Sequence, residues 1–243
     1  MPTNHNDVNM SIAPPGDLGE RTRRQMYELM ALNYHGVDWD EFNRDLDAKQ
    51  FVMIGIVDGQ ARGFTTGRCF TQTFGAGLQA EVLFSGDTII AESDRGNPIW
   101  STLWLQHAMS LAQTCKRPLY WMLTSKGHLT YRFLSIWFKE FYPRCDRPIP
   151  EDISELLDAL GRDYAGPNYD ARRCVAPCAH GQRLRGGVAE PGEKERGNQH
   201  VKFFLEQNPG WRQGDELVCI ARLAADNLRG SLARRLKTEP TAT

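Results

Sequence analysis

Three closely spaced runs of strand-forming residues constrain the fold of this chain more than any other feature. Residues 51–57 are almost entirely apolar and end at Asp58-Gly59, a pair typical of hairpin turns. The β-branched and aromatic residues of 62–71 predict the returning strand, and residues 80–90 predict a third strand with a bulge at Gly86. We therefore expect consecutive strands of one sheet at the centre of the fold.

A helix and a further strand follow this group directly. Asn97 and Pro98 suit the first turn of a helix, and the apolar stripe behind them has a helical period. The stripe contains Trp100, Leu103, Trp104, Ala108, Leu111, Ala112 and Cys115. Residues 118–124 predict a buried strand, residues 127–142 a largely apolar helix, and residues 150–160 an amphipathic helix.

The two ends of the chain supply the remaining elements. Alternation over 8–12 predicts a first strand, and capping boxes at Asp17 and Asp38 predict two helices after it. From 164 to 200 the chain is rich in Gly, Pro, Arg and Glu, which favours a surface insertion, partly disordered. Residues 201–205 and 216–223 predict a closing strand pair, and a C-terminal helix is expected around Leu228, Leu232 and Leu236.

Composition limits the class of protein. The 243 residues are 41% hydrophobic and 24% charged, as in an ordinary globular chain, and we expect one domain over 1–243. The net charge of -1 provides no field for nucleic acid, so no nucleic-acid partner is expected. The N-terminus lacks signal-peptide features and no apolar run could span a membrane, so we expect a cytoplasmic protein with reduced cysteines.

The order β-α-α-β-β-β-α-β-α, an insertion, then β-β resembles the GCN5-related N-acetyltransferase (GNAT) fold, an α/β fold with a central mixed sheet. The resemblance covers about 8–223 apart from the insertion. It implies that the fourth and fifth strands splay apart around a thioester donor, which we expect beside Thr88 and Leu119. The donor implied is acyl-CoA or an acyl-phosphopantetheine on a carrier protein, and the acceptor a small-molecule amine. The pattern does not specify an oligomeric state.

In that family the donor phosphates bind at the turn before the helix that follows the fourth strand. Here this turn contains Arg95, Gly96 and Asn97, where a helix N-terminus and a glycine suit phosphate. It keeps one glycine of the family's pattern, and Asp94 adds a negative charge beside it. Further donor contacts are expected from three hydroxyl residues at the ends of the splayed strands: Ser85, Thr124 and Ser125.

The resemblance also implies catalytic residues. Many members carry an asparagine after the fifth strand and, seven residues later, a tyrosine that protonates the leaving thiolate; here Thr124 stands at the first position and Tyr131 at the second. A general base is expected from Glu81 or Asp87 on the fourth strand. The alternative readings are core packing for Tyr131 and solvated strand positions for the two acids.

Two competing functions stay open: a module without catalysis, and an interaction protein whose insertion from Tyr164 to His200 docks a partner. A GNAT-shaped binding or regulatory module without catalysis is favoured by the incomplete phosphate turn. Four aromatic residues of the predicted helix favour either the hydrophobic core or a tunnel for a fatty acyl chain. They are Phe133, Trp137, Phe138 and Phe141. The spacing of Cys174, Cys178 and His180 is not that of a strong zinc site, and we expect no metal.

Overall fold

The structure is a computed structural model and describes residues 8–179, 181–186, 190–230 and 232–233. Its first half contains the following elements: β1 (Asn9–Ala13), α1 (Glu20–Asn33), β2 (Tyr34–His35), α2 (Trp39–Asp47), β3 (Phe51–Val57), β4 (Gln60–Phe74) and β5 (Leu78–Ile90). The second half contains α3 (Pro98–Thr114), β6 (Leu119–Ser125), α4 (His128–Trp137), α5 (Glu151–Ala165), β7 (Val175–Ala176), β8 (Arg183–Leu184), α6 (Glu193–Arg196), α7 (Gln199–Gln207) and β9 (Glu216–Arg222).

A single mixed sheet organises the fold. Its strand order is β1-β3-β4-β5-β6-β9-β7, and every neighbouring pair is antiparallel except β5 and β6, which run parallel. A small second sheet pairs β2 with β8. The long α3 connects β5 to β6, as a parallel crossover requires. The predicted α/β fold class with a central mixed sheet is confirmed, apart from the last two strands of the predicted order, of which only the second forms.

One face of the antiparallel half of the sheet is covered by α1 and α2. The two helices bury a compact apolar cluster against β3, β4 and β5, comprising Met26, Leu29, Met30, Phe42, Leu46, Val52, Ile54, Phe64 and Ile89. Asp38 starts α2 by accepting hydrogen bonds from the main-chain N–H groups of Asp40 and Glu41, as predicted. Each fully buried side chain of this type stabilises the fold by about 1.5–3 kcal/mol.

The opposite face packs against α3. Strand residues alternate between faces, so Met53 of β3 belongs to the larger core cluster together with Trp104 and Leu105 of α3. Gly55 and Gly63 lie beneath the indole of Trp100, at distances that leave no room for a side chain at either position. The two glycines thus bring the start of α3 close to the sheet.

One predicted element at the C-terminal side, the strand over 201–205, is wrong, whereas the predicted strand over 216–223 forms as β9. Residues 201–205 form part of helix α7, because Asn198 caps the main-chain N–H groups of His200 and Val201 and the buried Val201 and Phe204 lie three residues apart. Strand β9 therefore does not pair with residues 201–205. Its neighbours in the sheet are β6 and β7. Of the predicted C-terminal helix, Leu236 lies outside the described residues.

The last predicted turn of α4 is also replaced by extended chain. The helix ends at Trp137, and the backbone of the next residues pairs with other strands and loops. The N–H of Lys139 donates to the carbonyl of Asn227, and that of Tyr142 to the carbonyl of Ile220. These partners compete successfully with helical hydrogen bonds over 138–142.

The segment 164–200 reaches further into the fold than a surface insertion would. Tyr169, Cys174, Val175 and Ala176 are buried in the larger core cluster, and β7 extends the main sheet beside β9. The sequence lacks periodicity here because short pieces alternate with turns. Of the three residues considered for zinc, His180 lies outside the described residues.

The described residues contain neither a membrane-spanning helix nor a cluster of metal ligands. No helix among them is long and apolar enough to cross a bilayer. No group of three His, Cys, Asp or Glu side chains in the described ranges is arranged to hold a metal ion.

Candidate active site at the splayed strands

The parallel strands β5 and β6 separate part of the way along their length. They are paired from Glu81 opposite Leu119 to Ser85 opposite Leu123. Beyond that point β5 continues to Ile90 alongside β4, while β6 continues to Ser125 alongside β9. An opening therefore lies between residues 86–90 and 124–125. The opening was predicted beside Thr88 and Leu119. Thr88 does border it, whereas Leu119 lies where the two strands are paired.

A β-bulge lies where the strands part. Between the pairs Thr65–Thr88 and Gly67–Ser85, β4 has one residue, Thr66, and β5 has two, Gly86 and Asp87. The predicted bulge at Gly86 is confirmed. A Cβ at Gly86 would lie 2.6 Å from Thr66 Oγ1 and 2.7 Å from Lys49 Cε, so only glycine allows this approach. Because of the extra residue, the side chains of β5 after the bulge point to the opposite face of the sheet from the one that regular alternation would give them.

A cavity of about 1170 Å³ passes through the opening. It is bordered by α1, α2 and α5 on one face of the sheet and by α3 and α4 on the other. We call the α3 and α4 side the aromatic half, defined by Trp100, Trp104, Trp121, Phe133 and Trp137. We call the other side the charged half, defined by Asp45, Lys49, Asp87, Lys126 and Glu216.

The aromatic half is a packed wall of indole rings. The ring centroids of Trp104 and Trp121 are 4.3 Å apart, and that of Trp137 lies 5.8 Å from both. The indole N–H of Trp121 donates to Ser85 Oγ across 2.8 Å, which uses the hydroxyl predicted to contact the donor. The buried indole N–H of Trp100 has no partner among the described residues. This half therefore offers apolar surface and few free polar atoms.

Asp87 is an acidic group of the cavity without a direct partner in the residues that the structure describes. Its side chain is half-buried, and no hydrogen bond or ion pair to it is found within the described part of the chain. Burial, and secondarily the charge of Asp45, raises the pKa of Asp87 to about 6, while Lys126 and Lys49 act in the opposite direction. A carboxylate with this pKa and no partner is suited to remove a proton near neutral pH.

The two lysines of the charged half are already paired with carboxylates. Lys49 is nearly inaccessible and forms an ion pair with Asp45. The ammonium of Lys126 lies 3.8 Å from Glu216 Oε1. Glu216 also accepts hydrogen bonds from Thr124 Oγ1 at 3.0 Å and from the Tyr164 hydroxyl at 2.6 Å. Thr124 therefore lines the cavity, as predicted for a donor contact, but its hydroxyl hydrogen is engaged by Glu216.

The turn before α3 borders the same cavity. Arg62 neutralises Asp94 through two hydrogen bonds to Oδ2, of 3.0 and 2.7 Å, which removes the unfavourable charge expected beside a phosphate. Gly96 adopts a φ of 85° and has open space where a Cβ would be. Arg95 donates to Asn33 Oδ1 at 2.6 Å. Asn97 Oδ1 caps the N–H of Ile99, while its buried Nδ2 has no partner in the described chain.

Three predicted site residues lie away from the cavity. Tyr131 is fully buried, its hydroxyl donates to the carbonyl of Pro143 at 3.0 Å, and burial strongly raises its pKa. Glu81 lies on the closed part of β5, where it pairs with Arg117 at 3.2 Å and accepts from Thr71. The Ser125 side chain is buried and its hydroxyl is unpartnered. None of the three lines the opening.

Several cavity residues were not expected from the sequence. Lys49, Lys126 and Glu216 come from three separate parts of the chain, so no local spacing connects them. Trp100 and Trp121 were assigned to core stripes, and their position on a cavity wall depends on where the strands part. The weak signal that existed was the paired glycines of β3 and β4, which indicate a close approach to the sheet.

The splayed parallel pair thus lies within a mixed sheet, and the cavity passes between its two strands. No protein-family model and no curated protein sequence matches the chain. The solved structures similar to it include a GCN5-related N-acetyltransferase from Kribbella flavida, at 14% identity and a TM-score of 0.42, covering 57% of this chain and 36% of that one.

Two further solved structures show a similar level of likeness. One is a probable N-acyltransferase from Enterococcus faecalis, at 15% identity and a TM-score of 0.40, with 58% of this chain and 38% of that one covered. The other is a GNAT-family N-acetyltransferase from Escherichia coli in complex with CoA, at 14% identity and a TM-score of 0.38, with coverage of 52% and 67%. The match thus spans little more than a third of the first two structures' length.

Proposed function

We propose that this protein is an acyltransferase that moves an acyl group from a thioester donor to an amine. The observation that carries the proposal is the opening between β5 and β6, through which one cavity connects an apolar wall with a cluster of charges. A thioester lying in the opening has its carbonyl carbon at the boundary of the two halves. Donor and acceptor then reach the same carbon from opposite faces of the sheet, which suits direct transfer.

Asp87 is the proposed general base. Its carboxylate accepts a proton from the acceptor's ammonium, and the neutral amine then attacks the thioester carbon. The C–N bond forms and the C–S bond breaks as the tetrahedral intermediate collapses, and the second amine proton passes to the departing sulfur, which leaves as a free thiol. The N–H groups of the bulge at Gly86 are proposed to polarise the carbonyl. A thiol has a pKa near 8.5, so a departing thiolate needs no dedicated acid and Tyr131 receives no role here.

The turn containing Arg95, Gly96 and Asn97 is the proposed phosphate site of the donor. The open space at Gly96 and the unpartnered amide of Asn97 fit an anion, and the neutralised Asp94 no longer opposes it. One glycine suits a single phosphate of phosphopantetheine as well as the pyrophosphate of CoA. Both acyl-CoA and an acyl-carrier protein are therefore retained as donors, and Ser85 and Thr124 as residues of the donor passage.

The acceptor is proposed to be a small molecule with a primary or secondary amine. The carboxylates of Asp45, Asp87 and Glu216 border the charged half, and an ammonium gains favourable interactions with them before it is deprotonated. The reaction is proposed to take place in the cytoplasm. All six cysteines are unpaired, which suits a reducing compartment.

The experiment compares Asp87→Asn with Glu81→Gln, a matched change on the same strand outside the cavity. The assay follows release of free thiol from acetyl-CoA and octanoyl-CoA in the presence of a panel of amines. Asp87→Asn is expected to lower turnover at least about 100-fold while donor binding is kept, and Glu81→Gln to retain it. Equal turnover in both variants would remove Asp87 from the mechanism.

The second candidate is a GNAT-shaped binding module without catalysis, favoured by the single glycine of the phosphate turn. Thermal unfolding separates the two functions, since a ligand at 100 times its Kd stabilises the fold by about 2.7 kcal/mol. Stabilisation by a thioester without any thiol release supports the module. No stabilisation by CoA, acyl-CoA or acyl-carrier protein rules out a thioester ligand.

A further inference from the structure

An apolar surface continues from the aromatic half of the cavity to the outside of the molecule. Leu129, Phe133 and Ile136 on α4 are 44%, 40% and 49% exposed, and all three line the cavity. Their spacing of three and four residues places them on one face of the helix. The Phe133 ring centroid lies 4.9 Å from that of Trp137, so the exposed face joins the indole wall directly.

An acetyl group alone does not account for this surface. It has one methyl, whereas the wall that leads from Trp121 at the opening to Phe133 at the surface is built of aromatic rings throughout. The pantetheine arm of a donor contains two amides that need hydrogen-bond partners. In the described part of this wall, Ser85 Oγ accepts from the Trp121 indole and keeps its own hydrogen to donate, and the buried N–H of Trp100 has no partner, so the wall offers donors but few acceptors for the amide N–H groups. An aliphatic chain needs no such partners.

We propose that the donor carries a medium or long aliphatic acyl chain, which lies along the indole wall and leaves the cavity beneath α4. The proposal rests on the proposed function, because it places the thioester carbonyl at the opening between β5 and β6. The pantetheine arm then follows the turn with Arg95, Gly96 and Asn97. The exposed residues of α4 form the outer end of the chain's path and set the chain length that is fully covered.

The first experiment measures kcat/KM for acetyl-, butyryl-, octanoyl- and lauroyl-CoA with one amine acceptor. Each buried methylene contributes about 0.8 kcal/mol, close to a fourfold gain, until the chain reaches solvent. We expect octanoyl-CoA to exceed acetyl-CoA by at least about tenfold. A flat series, or one that falls from acetyl onward, overturns the acyl-chain proposal while leaving acyl transfer itself intact. No thiol release from any donor contradicts the proposed function instead.

The second experiment tests binding without turnover. A non-hydrolysable dodecyl thioether of CoA with bromine near the chain end should quench tryptophan fluorescence more than the unbrominated compound, because bromine quenches indoles at short range. Phe133→Ser should weaken binding of this probe about tenfold and lower the lauroyl-to-acetyl ratio of kcat/KM by a similar factor. The control is Leu32→Ser, since Leu32 is 73% exposed on α1 and lines no part of the cavity.

The outcomes of the second experiment separate clearly. Equal quenching by the brominated and unbrominated probes places the chain away from the indoles and overturns the proposal. So does a Phe133→Ser variant whose probe affinity equals that of Leu32→Ser. If neither probe binds while free CoA still stabilises the protein, the cavity accepts the nucleotide but not the chain, and the proposal is equally overturned.

Discussion

The proposed role of Asp87 as general base predicts a pH dependence at a defined position. With a pKa raised to about 6, its carboxylate is mostly protonated below pH 6 and ionised above it, and only the ionised form accepts a proton. We expect kcat/KM to fall about tenfold per pH unit below pH 6 and to level off above it. The measurement is a profile of kcat/KM for the amine between pH 5 and 8, at saturating donor and with the amine well below its KM. A profile that remains flat down to pH 5 contradicts this assignment.

The same residue affects stability with the opposite sign. Because folding raises the pKa of Asp87 from 3.8 to about 6, ionisation above pH 6 costs the folded state free energy, and below pH 4 the cost is absent. Asp87→Asn should therefore be more stable than the parent at pH 8, by about 1 kcal/mol after solvent screening, and no more stable at pH 4. Urea unfolding at both pH values measures this difference, and an equal effect at both would attribute it to packing.

Among the elements, the contact of β4 with the start of α3 depends on a missing side chain. A Cβ at Gly63 would lie 2.8 Å from Trp100 Cη2 and 2.9 Å from the carbonyl oxygen of Ile89, and the latter is backbone that cannot turn away. Gly63→Ala should destabilise the fold by about 1–3 kcal/mol, as overpacked cores do. Gly16→Ala is the matched control, since nothing lies within 4 Å of that position. Denaturant midpoints compare the two variants.

The sequence predicted elements best where one periodicity is unbroken and boundaries are marked by local signals. The apolar stripe of α3, the caps at Asn97 and Asp38, and the Asp58-Gly59 turn all have local causes and are confirmed. Residues 201–205 are a short apolar run, and in such a run the patterns of a strand and of a helix cannot be distinguished. The N-cap at Asn198 is the local feature that favours the helix. The end of α4 depends on distant partners at Ile220 and Asn227, which no local pattern contains.

The candidate site was predictable only in part, for the same reason. Asp87 lies on β5, which is the predicted fourth strand, and the turn after it contains Arg95, Gly96 and Asn97. Element order alone therefore placed these residues near the opening. Whether Glu81 or Asp87 faces the cavity depends on the bulge, which reverses the alternation between them. Tyr131 has the family's spacing, but its hydroxyl turns toward Pro143 and the core.

At the scale of the whole molecule, the sheet consists of two parts that meet along a short seam. The part β1-β3-β4-β5 and the part β6-β9-β7 are joined by five residue pairs, Glu81–Leu119 to Ser85–Leu123. Residues 81–85 of β5 have strand neighbours on both sides, whereas residues 88–90 have β4 on one side and the cavity on the other. The amides at the opening should therefore exchange faster than those of the seam.

A donor that lies in the opening contacts both parts of the sheet and should slow this exchange selectively. Hydrogen exchange followed by mass spectrometry is expected to show protection of peptides covering 86–90 and 123–126 on addition of octanoyl-CoA. Peptides covering 81–84 should change little, since their amides are already protected by two neighbouring strands. Phe133→Ser provides an internal comparison, because weaker binding should reduce protection at both edges together. If a donor that raises the Tm leaves both edges unprotected, it binds elsewhere on the molecule, and the opening between β5 and β6 is not the site of transfer.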